Sequence, residues 1–554
     1  MPVIRVSMSD LESLLAKRLT LEELYKGLTR LKCEIENIAG DTVEYEANHD
    51  RPDLFSSEGL ARALRPFLGL KERHYRIEES GNVRGYAEDV AGRPYIALAV
   101  VRDVVLSEEA ISQIMQLQEK LASTYGRGRR KASIGVYDLD LIKPPIYYRA
   151  VDPDKAKYIP LNEKREMTLR EVLSKTDKGR LYGYIIEHME RYPVLMDSEE
   201  RILSLAPILN ADYNKVTTKT RNILVDSTGL SPDIVVDMVT IMSANIVERS
   251  RSGVVELVRV EHPGGLVIEA PRKAGSTITV DLGDVSRLLG VELSVEEALK
   301  LLQQHYYRVK SVSGKVFSVE APAYRIDVKT WVDVAEDIAV SYGYHALGGQ
   351  ADSLPPSISV GRLHPLEYAS RRIRDILVGM GFTEVSNYMM SSVEAQTSLL
   401  GGGREVFIVE NPKSEKYTAL RSWLTPGLLE TIVENTGKRP RIAVFEIGDV
   451  VIPDASRETG ARVERRLCVA LSHEKATLTD GLAVVKALLR DLGVKPLFEG
   501  ATIAGFLQGR TAVIRVDDDN VGFVGEVEPG ILYRLGVVNP VVIAEMVLNK
   551  VINH

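Results

Sequence analysis

Cysteine is scarce in this sequence: Cys33 and Cys468 are the two among 554 residues. Two thiols so far apart cannot form a structural zinc site without further ligands, and a low cysteine content in a long chain is typical of a reducing, intracellular compartment. Long apolar runs are missing as well, so no segment is suited to cross a bilayer. The N-terminus, MPVIRVSMSDLESLLAKR, lacks the basic segment and apolar run of a signal peptide. We therefore expect a soluble, cytoplasmic protein with no membrane contact.

The sequence also lacks an excess of positive charge. Its net charge is -7 at pH 7, with 27% charged and 45% hydrophobic residues. This balance is typical of a globular protein and argues against one that coats nucleic acid non-specifically, although it is compatible with local basic grooves. The chain of 554 residues is too long for a single core, and we expect roughly three to four domains.

The order of the predicted elements divides the chain into four segments. Residues 1–90 form a small α+β unit, residues 91–262 a mixed segment of strands and helices, and residues 272–350 a compact unit with a helix and a hairpin at Ser313–Gly314. Residues 358–554 begin with a helix and continue with strands that predict a large antiparallel sheet. Because strands and helices do not alternate regularly, the predicted fold class is multidomain α+β.

Local signals place individual elements. Capping boxes predict helix starts at Ser9, Thr20 and Ser294. Segments rich in proline and glycine, RVEHPGGLVIEAPRKAG and GGQADSLPPS, predict linkers. The stretch SPDIVVDMVTIMSANIVERS predicts a long apolar helix. Strands are predicted for ASIGVYDLD, LYGYIIEH, RILSLAPIL, RNILVDST, EVSNYMM, REVFIVEN, RIAVFEIGDVVI, RLCVALSH, RTAVIRV and VGFVGEV.

The segment YRIDVKTWVDVAEDIAVSYGY is dense in carboxylates. A helix from Trp331 would place Asp333, Glu336 and Asp337 opposite its apolar face, with Asp327 just before its first turn. Asp333 and Asp337 repel each other at this spacing, and neither is followed by a basic residue one helical turn later. Three interpretations stay open here: a solvated face near the positive end of the helix dipole, a divalent cation such as magnesium, or the basic groups of a partner.

Five segments together resemble one protein family. They occur in the family's order and span essentially the entire chain: NHDRPDLFSSEGLARAL, APAYRIDVKTWVDVAEDIAVSYGY, NPKSEKYTALRSWLTPGLLETI, VFEIGDVV and GFVGEVEPGILYRLGV. They are similar to motifs of the phenylalanyl-tRNA synthetase β-subunit family, in the short form typical of archaea and eukaryotes.

The resemblance implies a heterotetramer of two α and two β subunits that joins phenylalanine to tRNA(Phe). The α subunit activates phenylalanine with ATP and transfers it to the terminal ribose of the tRNA. In the domain that corresponds to residues 272–350, which resembles helix-turn-helix folds, the family holds a magnesium ion near the α subunit. The acids that match its ligands are Asp327, Asp333, Glu336 and Asp337.

The resemblance also implies that residues 358–554 form a degenerate class II synthetase core without catalytic activity. EKYTALRSWLTPGLL occupies the position of the motif whose arginine binds the ATP α-phosphate, and Arg421 matches that arginine. The Gly-rich motif with a second arginine is missing from GFVGEVEPGILYRLG, so an organising cation for ATP is lost. We therefore interpret Arg421 as structural or interfacial.

A Rossmann fingerprint and a P-loop are absent, and we interpret the GGG at 401–403 as a hairpin turn.

A pocket built for phenylalanine rejects tyrosine by only about a hundredfold, because tyrosine differs by one added hydroxyl. The family therefore hydrolyses mischarged tyrosyl-tRNA(Phe) in a separate editing domain, which corresponds to residues 91–262 here. Such hydrolysis needs a positioned water and donors for the developing oxyanion, with no obligatory nucleophile. We expect no Ser-His-Asp triad in this domain.

Polar residues cluster in the segment APILNADYNKVTTKTRNILVDSTG of this domain. Asp226 and Thr228 alternate with apolar neighbours in ILVDST and would share one strand face. They are the first candidates for substrate contact or water positioning, and capping of the strand end is their alternative role. His188 is interpreted as an ordinary strand-end histidine. The further candidates are Pro207, Asn210, Thr220 and Asn222.

The loop YGRGRRKAS carries a basic cluster. Such a cluster suits phosphate contacts that guide the tRNA acceptor end, and a solvated basic loop is the alternative. We infer no DNA binding from the helix VEEALKLLQQHYYRV, which is not notably basic. The residues of the cluster are Arg127, Arg129, Arg130 and Lys131.

Two other functions compete with an editing β subunit. The first is a scaffold that binds the α subunit and tRNA but has lost hydrolysis. The second is a self-sufficient ligase that makes phenylalanyl-adenylate without a partner. Hydrolysis of tyrosyl-tRNA(Phe) and adenylate formation by the chain alone distinguish the three.

Overall fold

The computed structural model describes residues 2–347 and 361–552. The chain divides into two compact units, Met1–Leu354 and Pro355–His554, and each is described by itself. The predicted linker GGQADSLPPS lies outside the described residues. Among the helices that are described, none is long and apolar enough to span a bilayer. The architecture is multidomain α+β, as the element order predicts.

The chain begins with a three-stranded sheet in the order β1-β3-β2, flanked by helices. The capping box at Thr20 is confirmed. The one predicted at Ser9 is wrong, because Ser7 accepts the Asp10 amide at 3.1 Å and caps the helix, while the Ser9 hydroxyl donates to Asp41. The elements are β1 Val3–Ser7, α1 Met8–Leu15, α2 Leu21–Arg30, β2 Glu34–Ala39, β3 Thr42–Glu46 and α3 Ser57–Leu64.

An 11-stranded sheet follows, with the path β13-β12-β11-β8-β5-β15-β6-β14-β7 and with β4 and β16 paired to β15. The apolar helix α7 packs on β6 and β14 and is buried along most of its length. The elements are β4 Arg76–Glu79, β5 Gly85–Ala87, β6 Tyr95–Val101, α4 Glu108–Ser123, β7 Ala132–Asp138, β8 Ile146–Val151, β9 Lys157–Tyr158, β10 Met167–Thr168, α5 Leu169–Lys175, α6 Asp177–Tyr182, β11 Tyr192–Met196, β12 Ile202–Leu205, β13 Leu209–Asn210, β14 Ile223–Gly229, α7 Pro232–Ile246, β15 Val254–Glu261 and β16 Val267–Ala270.

Two predictions for this region are wrong. The segment LYGYIIEH is helical rather than a strand, because α6 begins upstream at Asp177, where the Thr176 side chain caps it by accepting the Gly179 amide. The predicted linker RVEHPGGLVIEAPRKAG contains β16, which folds back on β15 across Gly264 and Gly265. Both glycines have positive φ, which a tight reversal requires. The sheet thus takes in strands from before residue 91 and after residue 262.

A compact α+β segment completes the first unit. Its sheet has the order β17-β19-β18, and the hairpin predicted at Ser313–Gly314 joins β18 to β19. The capping box at Ser294 is confirmed. The elements are β17 Thr277–Asp281, α8 Leu282–Leu289, α9 Val295–Gln303, β18 Arg308–Ser313, β19 Val316–Glu320 and α10 Trp331–Tyr342.

The second unit is built on a seven-stranded sheet in the order β20-β23-β24-β28-β27-β26-β25, antiparallel except for the β20–β23 pair. The large antiparallel sheet is therefore confirmed. The elements are α11 Pro365–Gly379, β20 Thr383–Glu384, β21 Met390–Ser391, α12 Val393–Thr397, β22 Ala419–Leu420, α13 Thr425–Asn435, β23 Arg441–Pro453, β24 Ala461–His473, α14 Leu478–Asp491, β25 Pro496–Gly500, β26 Phe506–Val516, β27 Asp519–Val527, α15 Pro529–Arg534, β28 Val541–Val547 and α16 Leu548–Ile552.

Three local predictions in the second unit are wrong. The segment EVSNYMM supplies only the short strands β20 and β21. REVFIVEN contributes a single bridge, from Ile408 to Ala419, instead of a strand. The GGG at 401–403 has positive φ at all three residues and lies in a loop after α12, so it is not a hairpin turn between paired strands.

Candidate functional site

A cavity of about 560 Å³ opens beside the edge of the large sheet. Its floor is formed where β14 lies antiparallel to β7, with Asp226 directly opposite Gly135. Because β14 is flanked by both β6 and β7, its side chains are held in a buried and rigid setting. The polar and small residues of the lining include Gly135, Tyr137, Ser204, Pro207, Asn210 and Asp226.

Asp226 is 4% exposed, and its carboxylate has one hydrogen-bond partner among the described residues. The Tyr137 hydroxyl donates to Oδ1 at 2.6 Å and itself lies 3.0 Å from the Ser204 hydroxyl. Burial raises the pKa of Asp226 to about 6, while the hydrogen bond from Tyr137 and the charge of Arg93 limit that rise. A carboxylate with an unused oxygen at a cavity floor is suited to accept a hydrogen bond from a ligand hydroxyl or a water.

Gly135 leaves the space in which this hydrogen bond forms. A Cβ at this position would lie 2.3 Å from Asp226 Oδ1 and 2.4 Å from the Tyr137 hydroxyl oxygen. Any larger residue would therefore displace the carboxylate or the phenol. Our reading of the sequence missed Gly135, Tyr137 and Ser204, although a glycine inside the strand ASIGVYDLD is a recognisable sign of close approach.

Thr228 lies on the same strand but takes no part in the cavity lining. Its hydroxyl accepts the Arg93 Nε–H at 2.8 Å and lies 3.2 Å from the Ser133 hydroxyl. Arg93 is fully buried without a carboxylate at ion-pair distance among the described residues, and burial lowers its pKa to about 10. Thr228 thus supports a polar network beside the cavity. Neither substrate contact nor capping of the strand end describes its position.

The other candidates divide into two groups. Pro207 and Asn210 line the cavity, and the Asn210 amide donates to the Val136 carbonyl at 3.2 Å. Thr220 and Asn222 lie outside the lining and donate to carboxylates at the end of β7, namely to Asp138 at 2.6 Å and to Asp140 at 2.7 Å. His188 is exposed and also outside the lining.

The basic loop between α4 and β7 contains one arginine that faces inward. Arg129 is 8% exposed and donates to the carbonyls of Pro207 and Ile208 at 3.0 and 2.9 Å. It also pairs with Glu119 at 3.0 Å. Arg129 is therefore a structural part of the cavity wall, and its predicted contact with tRNA does not suit this geometry. The exposed members of the cluster are Arg127, Arg130 and Lys131.

The four acids expected to hold magnesium are all engaged by other groups of the protein. Asp337 is buried between Arg325, at 2.8 Å, and the hydroxyl of Tyr307, at 2.7 Å. Asp327 pairs with the same guanidinium at 2.7 Å. The partners of the other two are Lys32, 2.7 Å from Glu336, and Thr330, whose amide donates to Asp333 at 2.7 Å in a capping box.

This arrangement does not fit a shared magnesium ion. Within residues 2–347 and 361–552, no three His, Cys, Asp or Glu side chains converge as metal ligands would. Burial alone would raise the pKa of Asp337, but the charge of Arg325 holds it below its ordinary value. The Arg325 guanidinium thus takes the place beside Asp327 and Asp337 that a cation would need. The repulsion expected among the acids of the helix is offset by Arg325 and Lys32, which both lie outside the helix.

Arg421 in the second unit is also fully engaged. It is 7% exposed, its Nη1 pairs with Glu446 at 2.6 Å, and its Nε donates to the Asp449 carbonyl at 2.8 Å. A guanidinium held by a carboxylate in this way is not available to a phosphate. The contacts agree with the interpretation of Arg421 as structural.

Comparisons with known proteins give matches for the cavity, for the segment with the four acids and for the second unit. The family model described as "B3/4 domain" matches residues 107–246, around the cavity, and "tRNA synthetase B5 domain" matches residues 278–344, around the four acids. "Phenylalanyl tRNA synthetase beta chain CLM domain" matches residues 352–548. The phenylalanine–tRNA ligase beta subunit of Thermofilum pendens is 40% identical over 549 residues, which are 99% of this chain and 97% of that protein.

The chain belongs to the phenylalanyl-tRNA synthetase β-subunit family. A second relative, the phenylalanine–tRNA ligase beta subunit of Pyrococcus furiosus, is 37% identical and covers 99% of each chain. Among solved structures, an N-terminal fragment of the phenylalanyl-tRNA synthetase β subunit from Pyrococcus horikoshii is similar with a TM-score of 0.59 and 37% identity. It covers 62% of this chain and all of that fragment. The resemblance to the short archaeal form of the family is thereby confirmed.

Proposed function

We propose that this chain is the β subunit of a phenylalanine–tRNA ligase and that its own reaction is the hydrolysis of tyrosyl-tRNA(Phe) in the cavity at Asp226. The complex converts ATP, L-phenylalanine and tRNA(Phe) into phenylalanyl-tRNA(Phe), AMP and diphosphate. Aminoacylation takes place in the α subunit, in a cytoplasmic complex of two α and two β subunits. The observation that carries the editing assignment is the polar cavity floor of Asp226, Tyr137 and Ser204 in the residues that match the B3/4 family model.

The cavity floor suits tyrosine better than phenylalanine. The second carboxylate oxygen of Asp226 has no hydrogen-bond partner among the described residues, although the first is held by Tyr137. A tyrosine hydroxyl can occupy this position and donate to it, whereas a phenylalanine ring would leave the buried carboxylate unpaired. Sites that hydrogen-bond a substrate hydroxyl discriminate strongly against the analogue that lacks it. The floor therefore recognises the group that the synthetic site fails to exclude.

The hydrolytic step requires a water molecule as the nucleophile. No histidine lines the cavity in the described part of the chain, and we assign no side-chain nucleophile to this reaction. Water attacks the ester carbonyl, the ester bond breaks, and tyrosine leaves the terminal ribose. Binding of the tyrosine ring places the ester at the cavity mouth, so the main contribution of the protein is orientation.

The second unit is best explained as an inactive copy of a synthetase core. Its sheet carries Arg421, whose guanidinium is held by Glu446 at 2.6 Å. The Gly-rich arginine motif of active cores is missing from GFVGEVEPGILYRLG. The ATP and Mg²⁺ that aminoacyl-tRNA ligases use would accordingly act in the α subunit. The four acids around α10 hold no magnesium in this account, because Arg325 and Lys32 neutralise three of them.

The test is deacylation of purified tyrosyl-tRNA(Phe) by the reconstituted αβ complex. We expect wild type to hydrolyse the ester much faster than buffer alone, and Asp226→Ala to lose at least tenfold in rate, about the effect of one lost hydrogen bond to a charged group. Asp177→Asn, which changes a 97% exposed carboxylate, is the matched control. If wild type is no faster than buffer, the chain is a scaffold without hydrolysis.

A further inference from the structure

A second cavity lies within the first unit and is separate from the editing cavity. Its volume is about 260 Å³. One wall is formed by the chain that leads into β4, including Arg73 and Tyr75, and the other by residues of the B5-matching segment and its approach, including Lys273, Arg308 and Tyr324. None of these residues takes part in the proposed editing reaction.

Three cations of the cavity, Arg73, Lys273 and Arg308, lack a close carboxylate partner in the part of the chain that the structure describes. The Arg73 guanidinium donates to the carbonyls of Glu248 and Ser250, and no ion pair of Arg73 is present in the described ranges. Lys273 comes no closer than 3.9 Å to Glu79. Cations whose charge is not balanced locally attract anionic ligands.

Arg308 lacks a partner for an identifiable reason. It lies at the start of β18, where its cross-strand neighbour is Glu320. The carboxylate of Glu320 is taken by Lys310, at 2.7 Å, and Arg308 makes no ion pair within residues 2–347 and 361–552. Its charge therefore stays available on the cavity wall.

Two tyrosine hydroxyls of the cavity have no hydrogen-bond partner among the residues described. Tyr324 is 6% exposed, and the Arg62 guanidinium lies 4.0 Å from the centre of its ring. Neither the Tyr324 nor the Tyr75 hydroxyl makes a hydrogen bond to any described residue, whereas the neighbouring Tyr306 hydroxyl donates to the Arg62 carbonyl at 2.9 Å. Tyr75 and Tyr324 both line the cavity, so their hydroxyls can donate to the oxygens of a ligand there.

The acids of the cavity do not cancel its positive charge. Glu72, which lies 3.6 Å from the imidazole of His74, offsets at most one of the three positive charges, and Glu320 is neutralised by Lys310. Arg62 is balanced by Asp53 and Glu248, each at 3.9 Å. Unbalanced guanidinium and ammonium groups beside free hydroxyl donors match the oxygens of a phosphate, which accepts several hydrogen bonds and carries negative charge.

We propose that this cavity binds a phosphate group of the tRNA backbone, with Arg73, Lys273 and Arg308 as its cations and the Tyr75 and Tyr324 hydroxyls as its donors. The site adds a tRNA contact outside the editing domain. It depends on tRNA binding by the synthetase complex and is independent of the editing assignment, because neither the cavity nor its cations touch Asp226.

The test measures tRNA(Phe) affinity of the αβ complex over a range of salt concentrations. Lys273→Glu with Arg308→Glu should weaken binding by about tenfold and reduce the slope of log K against log salt by about 1, as expected for the loss of one phosphate contact. The matched control is Arg287→Glu with Lys315→Glu, which makes the same charge change at exposed positions of the same segment that do not line the cavity. Circular dichroism and complex assembly verify that both variants fold.

A second variant separates the hydroxyl donors from the charge. Tyr75→Phe with Tyr324→Phe should weaken tRNA binding severalfold while the salt slope stays at the wild-type value, since no cation is removed. The proposal is overturned if the charge-reversed variant binds tRNA with the affinity and slope of its control. A second outcome also overturns it: AMP or inorganic phosphate raises the Tm of wild type but not that of the variants, and tRNA affinity is the same in wild type and all variants. The cavity would then hold a free phosphate compound.

Discussion

Asp226 combines burial with an incomplete set of hydrogen-bond partners. One oxygen is bound by Tyr137 at 2.6 Å, and burial raises the pKa of the carboxyl group to about 6. Folding therefore favours the protonated form between the unfolded and folded pKa values. The destabilisation by this group accordingly grows as pH rises from about 4 and is complete above about 6. A residue that costs stability at neutral pH is typical of a functional site.

Replacement of Asp226 by Asn should stabilise the protein at pH 7.5. The amide removes the cost of burying a charge, which is on the order of 2–3 kcal/mol for a shift of this size, while its oxygen still accepts from Tyr137. Because the wild-type carboxyl is protonated at low pH, the difference in unfolding free energy should shrink as pH falls from about 6 to about 4. Chemical denaturation at several pH values measures it.

The exposed Asp177→Asn change is the control for this measurement. It removes only an exposed pair with Arg180 and should lower the unfolding free energy by at most about 1 kcal/mol, with no gain in stability at pH 7.5. Two results would contradict a raised pKa for Asp226. In the first, the Asp226→Asn protein is less stable than wild type at pH 7.5. In the second, it is more stable than wild type by the same amount at pH 4 and at pH 7.5.

Gly135→Ala should abolish editing without affecting phenylalanylation. The new Cβ would lie 2.3 Å from Asp226 Oδ1, so the carboxylate must move and the cavity floor loses its arrangement, at a cost in stability of about 1–3 kcal/mol. Gly81→Ala is the control, because an added Cβ there meets no atom within 4 Å. Equal rates of tyrosyl-tRNA(Phe) hydrolysis in the two variants would show that this floor is not used.

At the scale of elements, α10 shows how far a helical pattern can be interpreted. Periodicity correctly predicts the helix from Trp331 and its buried face. It places Asp337 opposite the apolar face together with Asp333 and Glu336, yet Asp337 is 4% exposed, because Arg325 lies in the preceding loop and folds back onto it at 2.8 Å. The base that pairs with Glu336 is Lys32, far away in sequence. Contacts of this kind depend on tertiary structure and cannot be obtained from spacing along one helix.

Asp337→Ala should destabilise the first unit far more than Asp333→Ala. The first change leaves buried Arg325 with one of its two carboxylates and costs about 3–5 kcal/mol, as for other broken buried pairs. The second removes the carboxylate half of the capping box that Asp333 forms with Thr330 and costs about 1 kcal/mol. Thermal unfolding of the two variants, with and without EDTA, measures the difference. Magnesium held by both acids would instead make their effects similar and would make the Tm of wild type sensitive to EDTA.

Strand β14 shows both the strength and the limit of sequence analysis at this scale. Alternation in ILVDST correctly predicts a strand and identifies Asp226 as a cavity residue. The same alternation selects Thr228, which binds Arg93 instead. The pattern of one segment predicts which residues share a strand face. It does not predict how far a cavity extends along that face, because neighbouring segments cover part of it. Here Arg93 and Ser133 cover Thr228.

At the scale of the whole molecule, the two units have different roles in our account. The first contains the editing cavity and the phosphate site, and the second contains the inactive synthetase-like sheet with Arg421 held by Glu446. The chain without the α subunit should therefore form no phenylalanyl-adenylate from ATP and phenylalanine, while the complex should do so. Pyrophosphate exchange measures both; exchange by the isolated chain would identify a self-sufficient ligase.

The overall class and order of regions were predictable because several motifs occur in family order along the chain. The extent of the large sheet was not. Strands β4, β5 and β16 lie outside the predicted 91–262 segment and pair with strands inside it. Linker-like composition around Gly264 marks a hairpin in the folded chain, since proline and glycine punctuate turns within domains as well as between them.

The most direct test of the central claim is the ratio of two hydrolysis rates. The αβ complex is given tyrosyl-tRNA(Phe) and phenylalanyl-tRNA(Phe), and kcat/KM is measured for each ester with wild type and with Asp226→Ala. If Asp226 accepts a hydrogen bond from the tyrosine hydroxyl, wild type should prefer the tyrosyl ester strongly, and the variant should lose most of that preference. A preference that is unchanged in Asp226→Ala would contradict the account.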